Sequence, residues 1–138
     1  MKLYIGTKII AAEPQEKDGK EGYKVEYEDG YISWSPKDVF ETAYEAIADG
    51  CMNFGHAIKL LKMGYKLARK GWNGKGMFLY YVPANRYTAL TDAAKEIAGE
   101  DGKVEYGAYI AMKTAQGNVV PWLASQTDVL SDDWNVVA

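Results

Sequence analysis

The chain has 138 residues, 48% apolar and 25% charged, with a net charge of −3. That suffices for one ordinary domain, or a smaller domain with an appendage, and the composition is that of a soluble globular protein. No apolar run approaches the ~18 residues a membrane span requires. A single cysteine, Cys51, excludes an internal disulfide, a single histidine, His56, cannot build a zinc site alone, and the acidic balance argues against a binder of nucleic-acid polymers. Met1 to Thr7 has neither the apolar stretch nor the cleavage site of a secretory signal, which predicts a protein that stays in the cytoplasm.

The predicted fold is α+β: an antiparallel sheet with short helices, preceded by a small β-rich module over residues 1–50 that ends in a helix. Strands are expected at Lys2 to Ile5 and Lys8 to Ala12, then a hairpin of Tyr23 to Glu28 with Tyr31 to Trp34, turned by Asp29-Gly30. Ser35-Pro36-Lys37-Asp38 reads as a helix start, with Ser35 the N-cap and the helix running to near Gly50.

The second domain, residues 51–138, opens with Asn53 as N-cap of a helix whose Phe54, Ala57, Ile58 and Leu61 share one face and whose stop is Gly64. A hairpin follows, Tyr65 to Arg69 and Met77 to Val82. Thr88 to Ala98 is expected to be helical, broken by Gly99 to Gly102. Tyr106 to Thr114 and Asn118 to Leu123 form another hairpin, Leu130 to Trp134 a helical turn, and Asn135 to Val137 a last strand.

Charge is unevenly placed. Residues 50–91 hold seven basic residues and no acid, so the remaining nine basic residues face all 19 acids. Inside that window, Gly71-Trp72-Asn73-Gly74-Lys75-Gly76-Met77 presents an indole, an amide and an ammonium within four positions. An indole can stack on a base, an amide can read polar edges, and lysine with exposed N–H groups can hold phosphate. The same Asn-Gly step is also an ordinary hairpin turn. A second polar run, Ser125-Gln126-Thr127-Asp128, reads either as a grip on ribose, base edge or phosphate, or as a helix cap in which Thr127 or Asp128 caps the Leu130 turn.

Reaction groups are hard to find. Cys51 and His56 have no spacing that makes a dyad, the adjacent pairs Asp132-Asp133 and Glu100-Asp101 point apart and read as surface charges, and the glycine patterns complete neither a P-loop nor a dinucleotide fingerprint. The expectation is a binder with no catalytic residue, no metal and no cofactor. Its rivals are an enzyme acting on the same ligand and a structural or scaffold component.

Three blocks carry a resemblance: Met52-Asn53-Phe54-Gly55-His56-Ala57; Ala68-Arg69-Lys70-Gly71-Trp72-Asn73-Gly74-Lys75-Gly76-Met77-Phe78; and Pro121 to Asp128 with Leu130-Ser131-Asp132-Asp133-Trp134. In order, spacing and length, Met52 to Val137 resembles the second type of Thoeris anti-defence protein, a family of small phage-encoded nucleotide sponges. The resemblance implies a non-enzymatic protein of the host bacterial cytoplasm that captures glycocyclic ADP-ribose made by TIR enzymes. It also implies that cyclic dinucleotides are possible ligands, and that α+β protomers assemble as homotetramers with pockets at subunit interfaces.

On this resemblance Trp72 and Asn73 fall on the family's pocket motif, for stacking and for base or ribose reading. Asn53 and Phe54 are expected to join as amide and second aromatic wall, and Arg69 and Lys75 as phosphate partners. Ser125, Gln126, Thr127 and Asp128 are placed in the site without individual roles. Residues 1–50 depart from the short members of the family and resemble small modules found at the start of many phage proteins, through Gly22 to Tyr31 and Ser33-Trp34-Ser35-Pro36.

Overall fold

In a computed structural model, which describes residues 1–72 and 75–138, the described residues form ten strands and four helices in an α+β arrangement of antiparallel sheets. The expectation placed on Asn73 lies outside the described residues. Contacts divide the chain into two units, Met1–Ala46 and Ile47–Ala138. Residues 47–50, assigned by sequence to the first module, pack with the second unit: the Ile47 carbonyl accepts from Val136 N at 2.8 Å, and Gly50 N donates to Asn135 Oδ1 at 3.0 Å. Among the described residues no helix is long and apolar enough to cross a membrane.

The first unit is a three-stranded sheet, β1 (Ala11–Pro14), β2 (Gly22–Glu26) and β3 (Ile32–Pro36), followed by α1 (Lys37–Ala43). β1 and β2 are antiparallel with Ala12 opposite Val25, so the first strand lies later than the predicted Lys8 to Ala12, and Lys2 to Ile5 is not a strand. Ser35 does not cap α1. It pairs with Tyr23 in the ladder, and Pro36 takes the N-cap position with no side-chain bond. The helix also stops at Ala43 rather than near Gly50, because Tyr44 leaves helical geometry and stacks on Phe40, itself stacked on Tyr23.

The second unit is built on a five-stranded sheet in the order β10-β4-β5-β8-β9. Its strands are β4 (Lys66–Arg69), β5 (Phe78–Val82), β8 (Tyr109–Lys113), β9 (Val119–Pro121) and β10 (Trp134–Val137). Leu67, Leu79, Met112 and Val120 lie opposite one another across four of these strands. α2 (Phe54–Lys62) lays Ala57, Leu60 and Leu61 against Leu67 and Leu79, and Met52 and Trp134 complete the buried cluster. Burying a side chain of this size contributes about 1.5 to 3 kcal/mol.

α2 begins and ends as the sequence predicts. Asn53 Oδ1 accepts from His56 N at 2.9 Å, and Gly64 adopts φ +97° just past the last turn, a geometry that disfavours a side chain.

One pair of strands was not anticipated. β6 (Asn85–Thr88) and β7 (Lys103–Tyr106) run antiparallel around α3 (Asp92–Ile97), which is shorter than the predicted Thr88 to Ala98 because Thr88 belongs to β6 and Thr91 is the N-cap. All four residues of β6 are exposed, so they show no alternation to read. Cross-strand charge organises the pair instead: Arg86 bonds Glu105 opposite it at 2.9 Å and Asp101 at 2.8 Å.

Candidate functional site

β4 delivers Arg69 to the start of the Gly71 turn, and α4 (Gln126–Leu130) with the approach to β10 brings two acids to it. Arg69 Nη1 donates to Asp128 Oδ1 and Nε to Asp133 Oδ1, both at 2.9 Å, with side-chain exposures of 16% for Arg69, 15% for Asp128 and 30% for Asp133. The second oxygen of Asp133 accepts from Gly71 N at 3.0 Å, and its carbonyl accepts from Lys70 N at 2.9 Å. Charge-assisted bonds of this kind contribute about 1.5 to 3 kcal/mol each when sheltered from water.

These contacts set the ionisation of the group. Arg69 lifts its own basicity by bonding Asp133 and Asp128. The Asp133 carboxyl is held below its ordinary value chiefly by Arg69, against the opposing effect of burial. At Asp128 burial is the largest influence and pulls upward, yet hydrogen bonds from Arg69, Ser125 and Trp72 together outweigh it and hold the carboxyl low. All three groups stay charged at neutral pH.

The polar run realises its capping reading, with one correction. The N-cap is Ser125, not Thr127 or Asp128, and α4 ends at Leu130 instead of starting there: Asp128 N donates to Ser125 Oγ at 3.0 Å while Ser125 N donates to Asp128 Oδ2 at 3.2 Å. Such a reciprocal capping box satisfies two N–H groups at once. Gln126 and Thr127 are exposed beside it.

Behind the two loops lies an aromatic cluster. Trp134 is fully buried, in β10 rather than in the predicted helical turn, and its indole N–H donates to the Asp128 carbonyl at 2.9 Å. Trp72 meets it edge-on at 5.6 Å between centroids, Trp122 likewise at 6.0 Å, and Phe54 at 5.2 Å. Phe54 also meets Trp122 at 6.1 Å. Trp72, Trp122 and Phe54 are half-buried, so each ring is only partly consumed by packing.

Of the residues singled out by sequence, Arg69, Trp72, Ser125 and Asp128 are therefore joined directly, and Phe54 through Trp134. Asn53 caps the helix that carries Phe54, with Nδ2 3.5 Å from His56 Nδ1. Lys75 is exposed. Sequence reasoning missed Asp133, read as a surface charge. The available signal was the acid-free window itself, whose two arginines can meet acids only from elsewhere in the chain.

Comparison with known proteins places most of the second unit in a family. Residues 52–137 match the model described as Thoeris anti-defense 2-like domain. The chain is also 37% identical over 87 residues to Thoeris anti-defense 2 of Bacillus phage SP01, a stretch covering 63% of this chain and 96% of that protein. The chain belongs to the Thoeris anti-defense 2-like family.

Proposed function

We propose that this protein is a phage counter-defence protein that binds and sequesters cyclic nucleotide immune signals without cleaving them. The signals are glycocyclic ADP-ribose and, by the same chemistry of stacked base and phosphate, cyclic dinucleotides. It works in the host bacterial cytoplasm, where removing the signal leaves the effectors of abortive infection unswitched. The observation that carries the reading is the family match over residues 52–137, coinciding with the unit in which Arg69 joins the Trp72 turn to the Ser125–Asp128 elbow.

In this reading Trp72 stacks on a base, Asn73 reads its edge or the ribose, the exposed Gln126 and Thr127 reach sugar hydroxyls, and Lys75 faces phosphate. Asn53 and Phe54 complete the amide and aromatic walls. The apolar rim supports a homo-oligomer, a tetramer in which a second copy closes the site: Leu123 and Leu130, which bracket the elbow, are 91% and 75% exposed.

The energetics are demanding and reachable. Stoichiometric capture asks for a dissociation constant of about 1 nM, or about −12 kcal/mol. A ligand of roughly 35 heavy atoms at ~0.3 kcal/mol per atom supplies ~10 kcal/mol, and a preformed site exceeds that by lowering the ordering cost.

Incubation with glycocyclic ADP-ribose, removal of unbound nucleotide, heat denaturation and chromatography of the released material test the reading. Intact nucleotide at stoichiometric yield is the expected result. Altered nucleotide would make the protein an enzyme, and no retained nucleotide would leave a structural or scaffold role.

A further inference from the structure

We propose that Arg69 is a positioning residue: its guanidinium, shared between Asp128 and Asp133, locks the Trp72 turn to the Ser125–Asp128 elbow, and it does not itself bind phosphate. The inference rests on the sequestration reading for its ligand and corrects the phosphate role that the sequence suggested for this arginine.

Three observations carry it. First, the charge is already spent: one guanidinium between two carboxylates leaves the cluster at −1, which repels an anionic ligand. Second, the bonds use different nitrogens for different acids, Nε for Asp133 and Nη1 for Asp128, a fork that lysine cannot reproduce with one ammonium.

Third, the same acids grip the turn and the aromatic cluster. Asp133 takes Gly71 N with its free oxygen and Lys70 N with its carbonyl, so both residues leading into Trp72 are fixed. The approach is so close that a Cβ on Gly71 would sit 2.9 Å from Asp133 Oδ2. The main-chain carbonyl of Asp128 in turn accepts from the Trp134 indole N–H, against whose ring Trp72 is set. The clamp thus joins parts of the chain 59 and 64 residues apart before any ligand arrives, which is the arrangement that lowers the ordering cost of binding.

The experiment uses the full chain and the variants Arg69→Lys, Arg69→Met, Asp133→Asn and the double variant Arg69→Met/Asp133→Asn. Two quantities are read: affinity for glycocyclic ADP-ribose by calorimetry, and amide exchange at Lys70, Gly71 and Trp72 without ligand. The clamp requires Arg69→Lys to bind at least tenfold more weakly, with no rescue by the retained positive charge.

It also requires Asp133→Asn to weaken binding, although that change removes a negative charge from the surroundings of an anion. The double variant should be no weaker than the weaker single one, and exchange at Gly71 and Trp72 should accelerate at least tenfold. Near-wild-type binding by Arg69→Lys together with tighter binding by Asp133→Asn would make Arg69 a phosphate contact and overturn the proposal. Unchanged exchange in the variants would overturn it whatever the affinities. If Arg69→Met fails to fold, Arg69→Lys and Asp133→Asn decide. Failure of the unmodified protein to bind would remove the sequestration reading, and the exchange rates would still judge the clamp.

Discussion

The indole of Trp72 meets that of Trp134 edge-on, with centroids 5.6 Å apart and planes at 77°. Edge-to-face pairs of this kind add about 0.5 to 1.5 kcal/mol beyond the area they bury. A side chain on the glycine-rich turn is therefore fastened to the core of the unit while remaining half-exposed. For the proposed binder this means that the stacking surface is held still before the base arrives.

Trp72→Ala should consequently weaken nucleotide capture by roughly tenfold or more, since base stacking on an aromatic ring is worth ~1 to 3 kcal/mol. Stability should fall by about 2 to 3 kcal/mol, because the edge contact, part of a half-buried ring and the hydrogen bond to the Asp128 carboxyl are lost together. Trp72→Phe keeps a ring and should recover part of the affinity. Titration calorimetry below the unfolding temperature of each variant separates the two effects, and an unaltered affinity in Trp72→Ala would remove the residue from the site.

Trp134→Ala should behave differently. The ring is 0% exposed, it touches Trp72, Trp122 and Phe54, and its N–H holds the Asp128 carbonyl. Removing it leaves a large cavity at a cost of about 3 to 5 kcal/mol and orphans a hydrogen-bond partner. Thermal unfolding should show a strongly lowered midpoint or no cooperative transition. A midpoint close to that of the unmodified protein would mean that the cluster does not organise the second unit.

What could be read from the chain follows the range of the interactions involved. α2 was legible at both ends because its signals are local: an asparagine cap at Asn53 and a glycine stop at Gly64. β5 was legible because Met77 to Val82 is an unbroken β-prone run, and β4 as the other arm of the hairpin that leads into it. The Arg69 cluster was not, because its acids lie 59 and 64 residues away and no spacing rule connects them.

Asp132 is exposed, as a surface charge should be, but its neighbour Asp133 is half-buried on Arg69. The capping box was visible as serine followed three residues later by aspartate, yet two further eligible caps in the same run hid which one acts. At the N-terminus, Lys2 to Ile5 has strand-forming residues, and a strand exists only where a partner supplies its hydrogen bonds.

Acid should weaken the second unit through the same carboxylates. Both are depressed in the folded state, Asp133 mainly by Arg69 and Asp128 by the hydrogen bonds that outweigh its burial. A depressed group contributes stability that is complete above its unfolded pKa and is lost as pH falls through its folded pKa. Urea unfolding should thus show no loss from this source near neutrality and a decline that begins as pH falls into the ordinary aspartate range and continues below it. Asp133→Asn should lower stability at neutral pH and narrow its gap to the unmodified protein as pH falls. A gap that stays constant down the acid limb would show that this carboxylate is not a source of the decline.

Gly22 offers a test confined to the first unit. It is buried in β2 opposite Pro36, and a Cβ there would collide with the Ser35 carbonyl and the ring of Trp34. That ring is held by its N–H on the Gln15 carbonyl at 2.9 Å and by Lys17 5.7 Å above it, so it has little room to give. Overpacking of this kind costs about 1 to 3 kcal/mol, and a unit of 46 residues has a small core to absorb it. Gly22→Ala in the full chain should make residues 1–46 sensitive to limited proteolysis while the second unit resists. Nucleotide affinity should stay within about twofold, because the family match begins at Met52, beyond the first sheet. A tenfold loss of capture in this variant would instead give the first unit a share in holding the ligand.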